Sequence, residues 1–88
     1  MKDNQDLSRF ERAVGNDIVF ANYRIDGRTL YINYVEAPEA LRGSGEAGKL
    51  MADIMAFAKA EKLKVFPICS YAVAWLRRNP QYEGLMAA

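Results

Sequence analysis

The dipeptide Asp26-Gly27 stands between two runs rich in β-branched and aromatic residues, IVFANYRI (18–25) and TLYINYVE (29–36). A two-residue turn of this kind needs positive φ at both central positions, and its twist matches that of the strands it joins. The chain is therefore committed to an antiparallel hairpin. Alternation along the second run puts Leu30, Ile32, Tyr34 and Glu36 on one face, with Tyr31, Asn33 and Val35 on the other.

The flanking segments extend this hairpin into a sheet with helices. Upstream, SRFERAV (8–14) reads as a strand that ends at the turn signal Gly15-Asn16-Asp17. Downstream, Pro38 interrupts the strand pattern and a loop leads to a helix expected over about 44–62. Its apolar stripe is Ala47, Leu50, Met51, Ile54, Phe57 and Ala58, while Lys49 and Asp53 lie one turn apart on the wet side. LKVFPIC (63–69) reads as a short buried strand. Ser70 is the expected N-cap of a second helix, YAVAWLRR, which stops near Asn79-Pro80. The order is β-β-β-α-β-α. A crossover helix between two strands makes them parallel neighbours, so the expected fold is α/β (α+β) with a mixed, mostly antiparallel sheet and two helices. The 88 residues read as a single domain, with 1–7 disordered.

Composition narrows the chemistry. Twelve Lys and Arg against eleven Asp and Glu give a net charge of +1, which argues against a nucleic-acid or acidic-membrane partner. No apolar run approaches the roughly 18 residues that cross a bilayer, and the polar start MKDNQDLSRFE does not read as a secretory signal. A cytoplasmic location is the expectation. With no histidine and one cysteine, Ser–His and Cys–His pairs, histidine-ligated metals and internal disulfides are excluded within one chain. Chemistry is left to carboxylates, tyrosines, main-chain groups, one thiol or a bound cofactor, and no metal site is assigned.

The stretch RGSGEAGKLM (42–51) satisfies three phosphate-binding patterns at once. All three use small residues to let main-chain N–H groups surround an anion at the positive end of a helix. Gly43, Gly48 and Lys49 fit G-x-x-x-x-G-K, but the next residue is Leu50 where a nucleoside-triphosphate loop needs a magnesium-binding hydroxyl. Gly43, Gly45 and Gly48 fit G-x-G-x-x-G. The dinucleotide fingerprint, however, needs a strand running directly into the first glycine and an acid about 20 residues on. Here Pro38 intervenes, and that distance past Gly48 falls on Ile68, Cys69 and Ser70. Arg42, Gly45 and Ala47 fit R-x-x-G-x-[G/A], which grips the pyrophosphate of coenzyme A, and the order of elements around them suits it.

The stretch VEAPEALRGSGEAGKLMADIMAFAKAEKLKVFPICSYAVAWLRRNPQY resembles a subgroup of very small domains in the GNAT superfamily of acetyl-CoA-dependent N-acetyltransferases. The resemblance runs from about Phe10 to Leu85, and its most specific parts are EAPEALRG-x-G, KV-x-P-x-CS and RRNPQY. It implies a minimal acyl-CoA N-acyltransferase fold and acetyl-CoA or coenzyme A as cofactor. The reaction implied is acetyl transfer to an amine, by direct attack; the alternative is a binding module of the same fold without turnover.

Residue by residue, the resemblance assigns the pyrophosphate to the main-chain amides of Gly43, Ser44, Gly45, Glu46, Ala47 and Gly48, with Glu46 turned outward. Arg42 and Lys49 would add charged contacts. The competing reading is a loop whose glycines only serve the helix start. The strand before the loop would carry a bulge and splay from the next strand, so that Tyr34, Val35, Glu36 and Ala37 line a gap for the pantetheine arm opposite Ile68 and Cys69. Ser70 joins the cofactor contacts. Glu36 is the candidate general base, or an ordinary solvated strand-end carboxylate. Cys69 ends a strand before a helix, where a thiolate is favoured, and is the candidate catalytic thiol or else a small buried hydrophobe. Arg77 and Arg78 would meet the adenosine 3′-phosphate or simply complement their helix dipole. The family's usual last-helix tyrosine falls here on Leu76 or Arg77, leaving Tyr71 and Tyr82 as substitutes. Elements that build the acceptor pocket in larger members are missing, which implies an open acceptor site or one completed by a second copy or a partner. The acceptor amine is not specified.

Overall fold

The computed structural model describes residues 1–87. It contains a five-stranded sheet in the order β1 (Lys2–Asn4), β2 (Arg9–Val14), β3 (Asp17–Asp26), β4 (Thr29–Glu36), β5 (Lys64–Pro67). All neighbours are antiparallel except β4 and β5, which pair in parallel around the helix between them. That helix, α1, spans Glu46–Ala60, and a second, α2, spans Ser70–Arg78. The expected α/β architecture is present, with the expected order β-β-β-α-β-α preceded by one further strand. The strand Lys2–Asn4 lies within the segment expected to be disordered. It pairs with β2, and the Tyr23 hydroxyl donates to Asp3.

The β3–β4 turn differs from its sequence reading. Asp26 pairs with Thr29, so the two loop residues are Gly27 and Arg28, and only Gly27 has positive φ, at 60°. Val14 pairs with Asp17 around Gly15, which also sits at 60°. Both hairpins thus place glycine first in the turn, the requirement of a II′ loop rather than the expected I′.

Alternation along β4 also breaks. Asn22 pairs with Tyr34 while Tyr23 pairs with Ile32, so Asn33 is an extra residue, a bulge. Leu30 and Ile32 point into the core. Beyond the bulge the pattern inverts: Val35 joins the core side and Tyr34 is exposed, contrary to the strict alternation expected.

One core unites the sheet with both helices: Phe10, Val19, Ala21, Leu30, Ile32 and Val65 from the strands, Leu50, Met51, Ile54, Met55 and Ala58 from α1, Ala72 and Leu76 from α2. The stripe expected on α1 is the buried one, with Met55 added and Ala47 and Phe57 partly covered. Phe10 stacks on Tyr23, centroids 4.1 Å apart, and meets Phe57 at 5.0 Å. Among the described residues no helix is long and apolar enough to cross a membrane.

Candidate functional site

The parallel pairing of β4 with β5 ends at Ile32 and Pro67. There the amides of Ile68 and Cys69 both donate to the Ile32 carbonyl, at 2.9 and 3.2 Å. Beyond that shared acceptor the two segments part. β4 continues through the bulge to Glu36 with β3 as its only strand partner among the described residues. One main-chain edge of Asn33–Glu36 is thus left facing a gap, and α2 starts across it.

The loop after β4 closes one end of that gap. Pro38 starts a single 3₁₀ turn, Glu39–Leu41, and the Leu41 carbonyl accepts from both the amide and the hydroxyl of Ser44. Arg42 donates through Nε to the carbonyl of Ala37 at 3.3 Å, tying the loop to the strand end. Gly43 and Gly45 have φ of 79° and 87°, and a side chain on either would meet nothing within 4 Å. Their need for glycine is conformational. Gly48 differs: an added methyl would lie 3.0 Å from Nε1 of Trp75. That glycine lets α2 approach α1.

Gly45 is the N-cap of α1 and supplies no side-chain cap, and the first intrahelical bond runs from Lys49 N–H to the Gly45 carbonyl. Among the described residues the amides of Gly43, Gly45, Ala47 and Gly48 donate to no protein group. Those of Ser44 and Glu46 are engaged, by the Leu41 carbonyl and, at 3.4 Å, by Ser44 Oγ. Unpaired N–H groups at a helix start carry about half a positive charge between them. Those of Gly43, Gly45 and Ala47 lie at a cavity of about 460 Å³ bounded by Val35, Ala37, Leu41, Arg42, Gly43, Gly45, Ala47 and Tyr71. Convergent amides, one guanidinium and an apolar floor fit a diphosphate with an extended amide-bearing arm beside it.

Other assigned residues lie elsewhere. Glu46 is not turned outward: Oε2 is 2.7 Å from Nε of Arg12 on β2, and the side chain is only 15% exposed. Its carboxyl is held below the usual range by the hydrogen bonds from Arg12 and Lys49. Lys49 reaches Glu46 Oε1 at 3.1 Å from an exposed position, away from the cavity. The arginine pair divides. Arg77 borders a separate groove of about 340 Å³ with Pro67, Leu76, Tyr82 and Met86, whereas Arg78 lies two turns from Tyr71 on the same face of α2, outside the cavity lining, and its charge opposes the rise in the Tyr71 pKa. Ser70 is not a cap. It is the first residue of α2, exposed and outside the cavity lining, and Cys69 is the capping residue, with extended backbone and no side-chain cap bond.

Nor are the two residues assigned to chemistry adjacent. Cys69 is at the vertex of the splay, partly buried against the core. Glu36 is at the open end, four residues along β4 from Ile32, or roughly 10 Å at about 3.3 Å per residue less the bulge. Glu36 shares the outer face with Tyr34, whose hydroxyl donates to it at 3.4 Å. Tyr71 does line the cavity, and burial raises its pKa, with Arg78 opposing and Cys69 reinforcing the rise. Leu41 was not anticipated as a wall, and its only sequence signal is an apolar residue isolated in a polar loop.

Residues 9–85 match the family described as GCN5-related N-acetyl-transferase. The fold is also that of a GCN5-like N-acetyltransferase candidate from Staphylococcus aureus, determined in solution. The two superpose with a TM-score of 0.70 over 92% of this chain and 90% of that one, at 20% sequence identity. No curated protein is significantly similar to the chain.

Proposed function

Since the chain belongs to the GCN5-related N-acetyltransferase family, we propose that it binds acetyl-CoA in the cavity at the mouth of α1 and transfers the acetyl group to an amine. One observation carries the reading: three residues with undonated amides, Gly43, Gly45 and Ala47, line one cavity at a helix start beside a splayed strand edge. Bound acetyl-CoA supplies an activated acetyl thioester. The amides and Arg42 hold its diphosphate, and the free edge of Val35–Ala37 orients the arm and offers an N–H to the thioester carbonyl. Glu36 takes the proton from the attacking amine as the C–N bond forms. The Tyr71 hydroxyl, held protonated by burial, gives a proton to the departing sulphur as the C–S bond breaks. Cys69 is packed against the core outside the cavity lining, which supports direct transfer over a thiol-acetyl relay. Of the Arg pair, neither lines the cavity, and Arg78 is the one that shares the helix face of Tyr71. Tyr34 is exposed at the open end of the splay, so the acceptor approaches over an open face or one completed by another chain.

Acetyl-CoA at millimolar levels is expected to raise the melting temperature, while ATP with magnesium and NAD do not. No shift with acetyl-CoA would remove the reading. Release of free thiol on incubation with primary amines separates turnover from binding. A thermal shift without release across varied amines would leave a CoA-binding module.

A further inference from the structure

We propose that Arg12 is a positioning residue for the diphosphate loop: it draws the Glu46 carboxylate out of the mouth of α1 and so keeps the loop amides free for phosphate. This rests on the reading of that loop as the acetyl-CoA site. Glu46 is the first residue of α1, between the undonated amides of Gly45 and Ala47. A glutamate in a first helical turn is normally drawn to those donors, and in capping boxes it folds back onto them. Here the same attraction would set a fixed carboxylate where two phosphates must sit.

The structure takes up both of its oxygens elsewhere. Oε2 receives Nε of Arg12 at 2.7 Å, and Oε1 receives Lys49 at 3.1 Å. Arg12 lies 34 residues away in sequence, opposite Val19 in the sheet register and on the side that α1 covers, and its Nη1 also reaches Asp53 at 3.7 Å. Lys49 is an exposed pair partner three residues along the same helix, an arrangement of small energetic weight. Arg12 instead spans from sheet to helix and fixes where the carboxylate points. Arg12, Lys49, Glu46 and Asp53 form one ion-pair cluster at the start of α1 whose charges sum to zero. Without Arg12 the sum is −1, and the carboxylate is free to swing onto the amides.

The test is calorimetric titration of acetyl-CoA into the unaltered protein, Arg12→Ala, and Arg12→Ala with Glu46→Gln, each at low and high salt. Arg12→Ala is expected to weaken binding about fivefold at low salt, the effect of one charge near a helix terminus. The deficit should shrink at high salt. The double variant, whose loop amides are unchanged, should return to within about twofold of the unaltered protein, because an amide competes weakly for the donors. An arginine that only braces the fold predicts a salt-independent loss that Glu46→Gln does not repair, and that result overturns the inference. So does undiminished binding by Arg12→Ala. If Arg12→Ala does not fold, Arg12→Met keeps the apolar stem and carries the same expectations. Binding absent from the unaltered protein overturns the proposed function and this inference together; binding present but indifferent to Arg12 overturns this inference alone.

Discussion

A methyl group on Gly48 would stand 3.0 Å from Nε1 of Trp75 and 3.8 Å from the Tyr71 hydroxyl oxygen. The glycine at the third position of α1 is therefore an interhelical contact, and the crowding side chain is itself stacked on Tyr82, centroids 5.5 Å apart. Gly48→Ala sets a helix-propensity gain of about 1 kcal/mol against an overpacking cost of about 1–3 kcal/mol. A net loss of about 1 kcal/mol is expected, which for a domain of this size lowers Tm by about 4–8 °C. With Trp75→Phe in place the crowding nitrogen is gone and Gly48→Ala should become neutral or stabilising. Thermal melts of the four proteins decide it, and equal losses in both backgrounds would contradict the contact.

How much of this was legible in the sequence depended on whether a feature was local. The hairpin strand Thr29–Glu36, the stripe on α1 and the small residues of the loop are set by spacing and by backbone conformation, and they were readable. The bulge at Asn33 was not readable from the residues, because no residue type encodes an extra strand position. It alone inverted the faces of Tyr34 and Val35. The outward placement of Glu46 failed for the same kind of reason: its partner, Arg12, is 34 residues away and is brought close only by the register of β2. Arg77 and Arg78 read as a unit because they are adjacent, yet helical neighbours point about 100° apart, and only Arg77 borders the groove with Pro67 and Tyr82.

Ala47 lines the cavity at the helix mouth and carries one of the undonated amides. Ala47→Leu adds apolar volume where the arm and diphosphate are proposed to sit, while α1 accepts leucine without a propensity cost beyond a few tenths of a kcal/mol. Acetyl-CoA affinity should fall at least tenfold, with Tm in the absence of ligand within a few degrees. Calorimetry together with an unliganded melt checks both halves, and retained affinity in a folded variant would remove the cavity from the proposal.

Tyr71 borders the same cavity with its pKa raised from 10.0 by burial. A proton donor to a departing sulphur is worth about 100-fold or more in rate. Tyr71→Phe is therefore expected to lower kcat by about that factor while leaving KM for acetyl-CoA within a few-fold. The alkaline limb of kcat/KM assigned to Tyr71 should lie above pH 10.0 and disappear in the variant. A variant with unchanged kcat would return Tyr71 to packing.

Tyr23 titrates far from the loop and reports on the fold instead. Burial first, and then its hydrogen bond to Asp3, push its pKa up from 10.0 to about 12. The folded protein therefore holds a proton that the unfolded chain releases near pH 10. Stability from this group is complete below pH 10 and is lost as pH rises toward about 12, because the native state binds more protons across that window. Tyr23→Phe removes both the titration and the tie to the strand Lys2–Asn4. Melting temperatures measured from pH 8 to pH 12 should fall less steeply above pH 10 in the variant than in the unaltered protein. Hydrogen exchange at Lys2–Asn4 should be faster in the variant at neutral pH. Parallel alkaline slopes would show that Tyr23 keeps its ordinary affinity for the proton in the folded state.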